Sequence, residues 1–208
     1  MDASTTRSYA GQPVTDRRSE RRRQFLAAGL AVFGETGYAS SSITLLCKTA
    51  GLARSQFYEH FTNREDLLMA VYDMINAEAR DAVEAATGAI PSAEVAARAE
   101  AAVAAYAESI GGDPRRAAVS YVEIVGVSPR VEERRLYQRE LWYEFMAGEL
   151  RKALGPEFEP VGGIRAATTG FVGALMALVH QWSISEPRPA LTDLTSVLTR
   201  FLIGLMQP

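Results

Sequence analysis

Apolar residues recur along this chain at intervals of three and four, the spacing that predicts amphipathic α-helices. The first such stripe predicts a helix that ends at Gly37, and its members are Phe25, Ala28, Gly29, Val32 and Phe33. No stretch alternates apolar and polar residues over the length of a strand. The pattern therefore predicts an all-α protein of about nine helices with essentially no sheet.

The segment from Ser41 to Leu68 predicts two short helices that meet at Gly51, followed by the start of a third. A glycine can adopt positive φ without steric cost, so one helix can stop there and the next can start at an angle. Leu46 and Phe57 fall at inward-facing positions of the two helices. Helix pairs of this kind place one helix in the major groove of DNA.

Hydroxyl, amide and basic side chains remain on the outer side of this segment, and such groups contact phosphates and base edges. The candidate DNA-binding residues are Arg17, Arg18, Ser42, Thr44, Lys48, Arg54, Ser55, Gln56, Tyr58, His60 and Arg64. Phosphate contacts are expected from Lys48, Arg54, Tyr58, His60 and Arg64, and base reading from Thr44, Arg54, Ser55 and Gln56. Gln56 suits adenine N6 and N7, and Arg54 suits guanine O6 and N7.

The charge distribution agrees with a basic, nucleic-acid-binding amino-terminal part joined to an acidic part that does not bind nucleic acid. Up to Arg64 there are 9 Lys and Arg against 5 Asp and Glu, a balance of +4, and beyond it 13 against 20, a balance of −7. Basic runs are also found on ordinary solvated surfaces, so the charge supports DNA binding only together with the helix pair.

The helices of the second part are marked by residues that cap helix amino termini. Asn63 predicts a helix that starts at Arg64 and runs to about residue 86, linking the two parts as a lever. Ser92, Asp113-Pro114 and Ser128-Pro129 predict the next three starts. Residues 163–185 and 191–206 predict the last two helices.

These last two helices carry more apolar surface than a monomeric helix hairpin would bury. Paired with their symmetry mates they would form a four-helix, twofold interface, which predicts a homodimer that reads a palindromic DNA site. The candidate interface residues are Phe171, Leu175, Leu178, Trp182, Leu194, Leu198, Phe201 and Leu205. A wholly intrachain core is the alternative.

Large aromatic and partly polar residues accumulate in the second part, and they predict a small-molecule pocket or, alternatively, plain helical core. The candidate ligand-binding residues are Tyr106, Tyr121, Trp142, Phe145, Met146, Met176 and His180. Such a lining suits a mainly apolar or aromatic ligand with one or two hydrogen-bonding groups.

The amino-terminal pattern resembles the DNA-binding domain of the tetracycline-repressor (TetR) family. The resemblance covers Gln24 to Leu68 and rests on Phe25-Leu26, Ala28, Phe33, Gly37-Tyr38, Ser42-Ile43, Ala50-Gly51-Leu52, Phe57-Tyr58, His60-Phe61 and Asn63-Arg64-Glu65-Asp66-Leu67. It implies a homodimeric, all-α, ligand-responsive transcription regulator, usually a repressor. Where the family commonly has Ser, Gly and Thr, this chain has Ala53, Ser55 and Gln56, and Ala53 cannot cap the recognition helix, at a cost of about 1 kcal/mol relative to serine.

Enzymatic and metal-dependent functions find little support in the sequence. His60 and His180 have no second ligand at metal-binding spacing, and no phosphate loop or nucleophile elbow occurs. We therefore expect no metal, no cofactor and no enzyme, although His180 acting as a base beside Ser183 or Asp193 remains an alternative. A helical adaptor or regulator controlled by a protein partner is a second one.

The sequence thus predicts three segments: a disordered tail over residues 1–16, a helix-turn-helix DNA-binding domain over 17–64, and a helical effector-binding and dimerisation domain over 65–208. A single cysteine, Cys47, and the lack of a run of ~18 to 20 apolar residues predict a cytoplasmic protein without a membrane span. The expected function is a repressor that a small, mainly apolar ligand releases from its DNA operator.

Overall fold

The computed structural model of the protein describes residues 14–206, and all regular elements in this range are helices. They are α1 (Val14–Thr36), α2 (Ile43–Ala50), α3 (Arg54–Tyr58), α4 (Arg64–Gly88), α5 (Val95–Gly111), α6 (Pro114–Ala118), α7 (Pro129–Leu154), α8 (Gly163–Ile184) and α9 (Leu191–Leu205). One π-helical turn, Val119–Glu123, follows α6 and is called π1 here. The predicted all-α fold of about nine helices is confirmed.

The amino-terminal boundary differs from the prediction. α1 begins at Val14, so helix replaces the end of the tail predicted over residues 1–16. The rest of that predicted tail, residues 1–13, lies outside the described residues. The polar composition of this stretch masked the helix start, because a solvated first turn has no apolar stripe to reveal it.

The helix-turn-helix is formed by α2 and α3, and local signals set its ends. Ser42 caps α2 by accepting a hydrogen bond from the Leu45 N–H at 3.1 Å. Gly51 ends α2 with a φ of 68°, in the left-handed region that favours glycine. Ala53 makes no side-chain cap, but Gln56 Oε1 accepts a hydrogen bond from the Ala53 N–H at 2.8 Å. This is the reverse half of a capping box, and it partly offsets the missing serine.

Three of the four predicted caps in the second part are present. Asn63 accepts from the Asp66 N–H, Asp113 from Arg115, and Ser128 from Val131, each at the start of a helix. Ser92 was predicted to start α5, and this is wrong: α5 starts at Val95, and its N-cap, Glu94, makes no side-chain capping bond. The serine signal failed because the positions after Ser92 do not support a helix start: Ala93 stands where Asp113 and Ser128 are followed by proline, and Val95, not an acidic residue, stands three positions on.

A single hydrophobic cluster runs through both parts of the chain. Phe25 packs edge-on against Phe57, with ring centroids 5.4 Å apart, inside the helix-turn-helix part. Leu67 and Val71 on α4 are fully buried in the same cluster, which continues to Leu198 on α9. α4 therefore joins the two parts of the chain through one continuous core.

Polar contacts show that α7 lies along α4 in the same direction. We call the end of α4 next to the helix-turn-helix the bottom of the bundle and its carboxyl end the top. From bottom to top, Arg130 pairs with Asp66 at 2.6 Å, Trp142 Nε1 donates to Asn76 Oδ1 at 2.8 Å, and Glu149 accepts from the Thr87 hydroxyl at 3.1 Å. Residue numbers rise together on both helices, so the two run parallel. α5, α8 and α9 complete the bundle around the space between them.

The structure corrects half of the predicted dimer-interface residues. Phe171, Trp182, Leu194 and Leu198 are buried in the core of their own chain, so they are not surface residues of the protomer. Leu175, Leu178 and Leu205 are half-buried, and Phe201 is 53% exposed. The error has a physical reason: the most apolar stripe of each helix is the one that packs against its own chain, and an interface would use the next stripe around the helix.

Among the described helices, α8 (Gly163–Ile184) is the one whose length and composition would allow it to cross a membrane. Its Phe171, Val172, Val179 and Trp182 pack in the protein core. Core helices of soluble proteins pass the same test, so this feature is weak support for a membrane span.

Candidate functional site

The outer face of the helix-turn-helix carries most of the predicted DNA-binding side chains in accessible positions. Exposed residues are Arg17, Arg18, Ser42, Thr44, Lys48, Arg54, Ser55 and Tyr58, and Gln56 is partly exposed. The Arg54 guanidinium lies beside Tyr58, with Nη2 3.2 Å from the phenol oxygen. The two residues are one turn apart on α3, so together they present a cation and a phenol to a phosphate or base edge.

Gln56 has a second role that the sequence did not reveal. Its Oε1 is occupied by the Ala53 N–H, so the amide holds the first turn of α3 together. Nε2 makes no hydrogen bond within the described residues and remains available as a donor. Gln56 can therefore donate to a base acceptor, but the bidentate contact with adenine N6 and N7 would require it to give up the cap.

His60 does not occupy the exposed position that a phosphate contact needs. Its ring packs near Phe25 and Phe61, with both centroids 6.2 Å away, and its Nε2 is buried without a hydrogen-bond partner among the described residues. Burial, followed by the positive charge of Arg18, lowers the pKa of His60. A neutral, part-buried imidazole contributes no charge to DNA binding, so the prediction that His60 is a leading phosphate contact is corrected.

The Arg64 side chain makes its hydrogen bonds within the protein. Its Nη1 donates to the Tyr38 carbonyl at 3.1 Å, to the Ser41 hydroxyl at 2.9 Å and to the Ser41 carbonyl, and its guanidinium lies 4.8 Å above the Tyr38 ring. These contacts join the start of α4 to the loop before α2. Arg64 therefore acts mainly as a structural residue, and the prediction that it leads phosphate binding is corrected.

An interior cavity of about 110 Å³ lies between α4, α5, α7, α8 and π1. Six of the seven predicted ligand-binding residues line it, namely Tyr106, Tyr121, Trp142, Phe145, Met146 and Met176. The α4 residues of its wall extend from Tyr72 to Thr87, fifteen positions and thus about 22 Å of helix at 1.5 Å per residue. The cavity is long and its wall is mainly apolar.

The upper end of the cavity is electrically neutral because its charges are paired. Arg98 and Glu149 form an ion pair at 3.2 Å with side-chain exposures of 12% and 16%. Arg98 also donates to the carbonyls of Thr87 and Ile90, at 2.7 and 2.9 Å. This network joins α4, α5 and α7 at the top of the bundle, and these donors and acceptors are already occupied.

Two tyrosines form the lower part of the wall. The hydroxyls of Tyr106 and Tyr121 hydrogen-bond to each other, and both side chains are buried. Burial raises the pKa of both phenols, so they stay neutral over the whole physiological range. The pair can exchange a mutual hydrogen bond for one to a ligand without creating a charge.

His180 lies outside the cavity, which corrects the seventh predicted residue. It is exposed, and its Nδ1 is 2.9 Å from the Tyr121 carbonyl oxygen. The Ser183 hydroxyl donates to the His180 carbonyl at 2.8 Å and not to the imidazole. The alternative in which His180 activates Ser183 therefore has no hydrogen bond to support it. No cluster of three potential metal ligands occurs within residues 14–206.

The turn π1 connects the cavity to the helix-turn-helix. Ser120 and Tyr121 line the cavity, while the Glu123 carboxylate accepts a hydrogen bond from the Tyr38 N–H at 2.7 Å. Next to it, α6 touches α1 closely: a Cβ at Gly34 would lie 2.7 Å from the Arg115 Cα. A π-helical turn is rare and often marks a functional position. Here one turn touches both the cavity and the loop before α2.

Comparison with known families identifies the amino-terminal part. Residues 25–71 match the model of the bacterial regulatory proteins of the tetR family. The amino-terminal domain belongs to the tetR family. This confirms the resemblance seen in the sequence: the chain carries a tetR-type DNA-binding domain over these residues. No curated protein matches this chain in sequence.

Solved structures show that the likeness of fold extends over nearly the whole chain. The fatty acid degradation regulator FadR from Bacillus halodurans is 20% identical, with 88% of this chain and 95% of that chain covered at a TM-score of 0.74. FadR from Bacillus subtilis, in complex with stearoyl-CoA, is 19% identical, with 88% and 97% covered at 0.77. A tetR-family regulatory protein from Rhodococcus RHA1 is 19% identical, with 89% and 96% covered at 0.66.

Several polar residues of the chain were missed at the level of sequence. Ser120, Arg139 and the Arg98–Glu149 pair line the cavity, and Glu123 reaches the helix-turn-helix. Arg139 could have been found, because it lies one helical turn before Trp142 on the predicted aromatic stripe. Nothing in the sequence marks Ser120 or Glu123, since a π-helical turn has no strong local signature.

Proposed function

We propose that the protein is a homodimeric repressor that binds a palindromic operator and leaves it when an elongated, mainly apolar ligand fills the cavity. The observation that carries this proposal is the position of π1. Tyr121 lines the cavity, and two residues later Glu123 holds the Tyr38 N–H at the edge of the helix-turn-helix. A ligand that shifts π1 must therefore change how the DNA-binding part is held.

The length and apolar wall of the cavity favour an acyl-type ligand. Aromatic and aliphatic side chains line it over about four helical turns of α4, from Tyr72 to Thr87. A protein of similar fold, FadR from Bacillus subtilis, binds stearoyl-CoA. A ligand that favours the DNA-incompetent state by about 2 to 3 kcal/mol would lower operator affinity roughly 30- to 150-fold.

DNA recognition is assigned to the exposed residues of the helix-turn-helix. Arg17, Arg18, Lys48, Arg54 and Tyr58 are proposed to contact phosphates, with Ser42 donating its hydroxyl proton while it caps α2. Thr44, Arg54, Ser55 and the free Nε2 of Gln56 are proposed to read base edges. Both groups lie on one face, so a single docking geometry serves them.

The homodimer is proposed to form through the free faces of α8 and α9. On α8 the exposed positions Gly170, Gly173 and Ala177 are small, which allows a partner helix to approach closely, and Ile184 lies at the end of this stripe. On α9, Val197 and Phe201 are 43% and 53% exposed. A twofold pairing of these faces gives a four-helix interface and sets the distance between two recognition helices. We place the dimer in the cytoplasm, with the domain boundary at Arg64.

The proposal is tested by DNA binding with and without apolar compounds. The full chain is titrated by fluorescence anisotropy against the fragment upstream of its own gene, which is then footprinted. Stearoyl-CoA and dodecanol serve as probes. We expect sequence-selective binding, a twofold-symmetric footprint and release by at least one probe. Binding that is equal for all sequences would contradict the regulator, and a footprint that no apolar probe changes would favour control by a protein partner.

A second measurement tests the role of π1 directly. Glu123→Ala removes the acceptor for the Tyr38 N–H, whereas Glu123→Gln keeps an amide oxygen in its place. We expect Glu123→Ala to reduce the ligand-induced change in operator affinity by about 10-fold, and Glu123→Gln to retain most of it. Full ligand response in Glu123→Ala would show that the signal takes another route.

A further inference from the structure

Two polar side chains of the cavity wall each have one buried atom without a hydrogen-bond partner. Among the described residues, Arg139 Nε and Ser120 Oγ are both shielded from water and unpaired, and both residues line the cavity. They come from different elements, α7 and π1. Each can donate a proton, and burial of an unpaired donor is unfavourable unless something accepts its hydrogen bond.

Both residues lie at the lower end of the cavity, and contacts across its wall connect them. Arg139 lies one helical turn before Trp142, whose ring centroid is 5.3 Å from that of Tyr106, and the Tyr106 hydroxyl hydrogen-bonds to that of Tyr121, the neighbour of Ser120 in π1. This end differs from the upper one. Arg98 at the top has Glu149 as its counter-ion, whereas Arg139 makes no ion pair within the described residues.

The ion pairs next to Arg139 on α7 do not include it. Arg134 is paired with Asp73 at 2.5 Å and Arg135 with Glu132, so these four residues compensate one another. Arg80 donates to Gln138 at 3.1 Å and, like Arg139, makes no ion pair among the described residues. A part-buried cation without a counter-ion beside an apolar cavity is expected to be completed by an anion.

We propose that the cavity binds a long-chain carboxylate whose head lies at this lower end. Arg139 and Ser120 donate hydrogen bonds to the carboxylate oxygens, and the alkyl chain extends upward along α4 towards Thr87. This inference rests on the proposed ligand-binding function and specifies its chemistry. It also places the charged head on π1, three residues before Glu123, where binding can reach the helix-turn-helix.

The proposal is tested with three probes that share an apolar chain but differ in the head group. Dodecanoate, dodecanol and dodecanoyl-CoA are titrated into the full-length protein by calorimetry. We expect dodecanoate to bind about 10- to 100-fold more tightly than dodecanol, as a charged hydrogen bond predicts. Tighter binding of dodecanoyl-CoA than of dodecanoate would assign the anion-binding role to the CoA phosphates and overturn the assignment of Arg139 to a free carboxylate.

Variants separate this inference from the proposed function. Arg139→Gln should lose about 10- to 100-fold in dodecanoate affinity and less than about 3-fold in dodecanol affinity. Arg139→Lys should retain part of the preference, and Arg151→Gln, an exposed arginine on the same helix, should change nothing. Ser120→Ala provides a second test, with an expected loss of about 3- to 10-fold, should Arg139→Gln fail to fold.

The outcomes differ for the two ideas. If dodecanol and dodecanoate bind equally and Arg139→Gln changes neither, the carboxylate assignment is wrong while the apolar ligand site stands. If none of the three probes binds, the ligand site itself is wrong and the inference falls with it.

Discussion

Replacing Arg64 tests whether this residue supports the fold or binds phosphate. In Arg64→Ala, the Tyr38 carbonyl keeps two other donors, the Ser41 N–H at 3.1 Å and the Ser41 hydroxyl at 2.7 Å. The carbonyl of the buried Ser41 loses its charged donor, and the Tyr38 ring loses the guanidinium 4.8 Å away. A buried acceptor left without a donor costs about 1 to 3 kcal/mol and a part-buried cation–π contact about 1 to 2, so we expect a loss of roughly 2 to 5 kcal/mol in the free energy of unfolding.

Two measurements decide between the roles. Urea unfolding followed by circular dichroism gives the stability, and operator binding at several salt concentrations gives the salt slope. A structural Arg64 lowers stability and leaves the slope unchanged, whereas a phosphate contact lowers the slope by about 0.9 per half-site. The matched control is Arg17→Ala, an exposed arginine for which we expect the opposite pattern. Unchanged stability together with a reduced slope in Arg64→Ala would refute the structural role.

Three further substitutions test base reading, the dimer interface and the effect of acid on stability. Gln56→Ala should relax base preference at one position by about 1 to 3 kcal/mol per half-site and also weaken the first turn of α3, which competition with operator variants and a melting curve would measure; equal loss on all operator variants would contradict base reading. Phe201→Asp should convert the dimer to a monomer in light scattering, while Val161→Asp, at an 87% exposed loop position, should not; a dimeric Phe201→Asp would exclude this face. Burial lowers the pKa of His60 in the fold below its ordinary value of 6.5, so the unfolded chain binds the extra proton first. Stability should therefore fall as the pH drops below about 6.5, and His60→Phe should reduce this loss in urea titrations at pH 7.5 and 5; an unchanged acid-side loss in that variant would assign it to other groups.

The helices and their ends were largely predictable because local chemistry determines them. The caps at Asn63, Asp113 and Ser128 and the left-handed Gly51 act within one turn of the chain. The prediction at Ser92 failed because Ala93 and Val95 supply neither the proline nor the acidic residue that a helix start has at those positions. The helix-turn-helix was the clearest part, since periodicity, hinge glycine and outward polar groups all agree there.

The roles of individual side chains were less predictable, because the same residue type serves different purposes in different surroundings. Arg64 and His60 lie in a DNA-binding sequence pattern but turn towards the protein, and Trp182 lies on an apolar helix but fills the chain's own core. His180 has the right spacing to join the cavity wall, yet it is exposed and its Nδ1 lies at the Tyr121 carbonyl.

The sequence by itself determined the helices, the hinge at Gly51 and the DNA-binding character of the first domain, since spacing and capping are properties of neighbouring residues. Only the tertiary structure decided which stripe of α8 faces its own chain and which polar groups of the cavity remain unpaired. It also decided that Glu123 reaches Tyr38, 85 positions away along the chain. Such contacts depend on how distant helices pack, and no local pattern encodes the partner that a side chain finally meets.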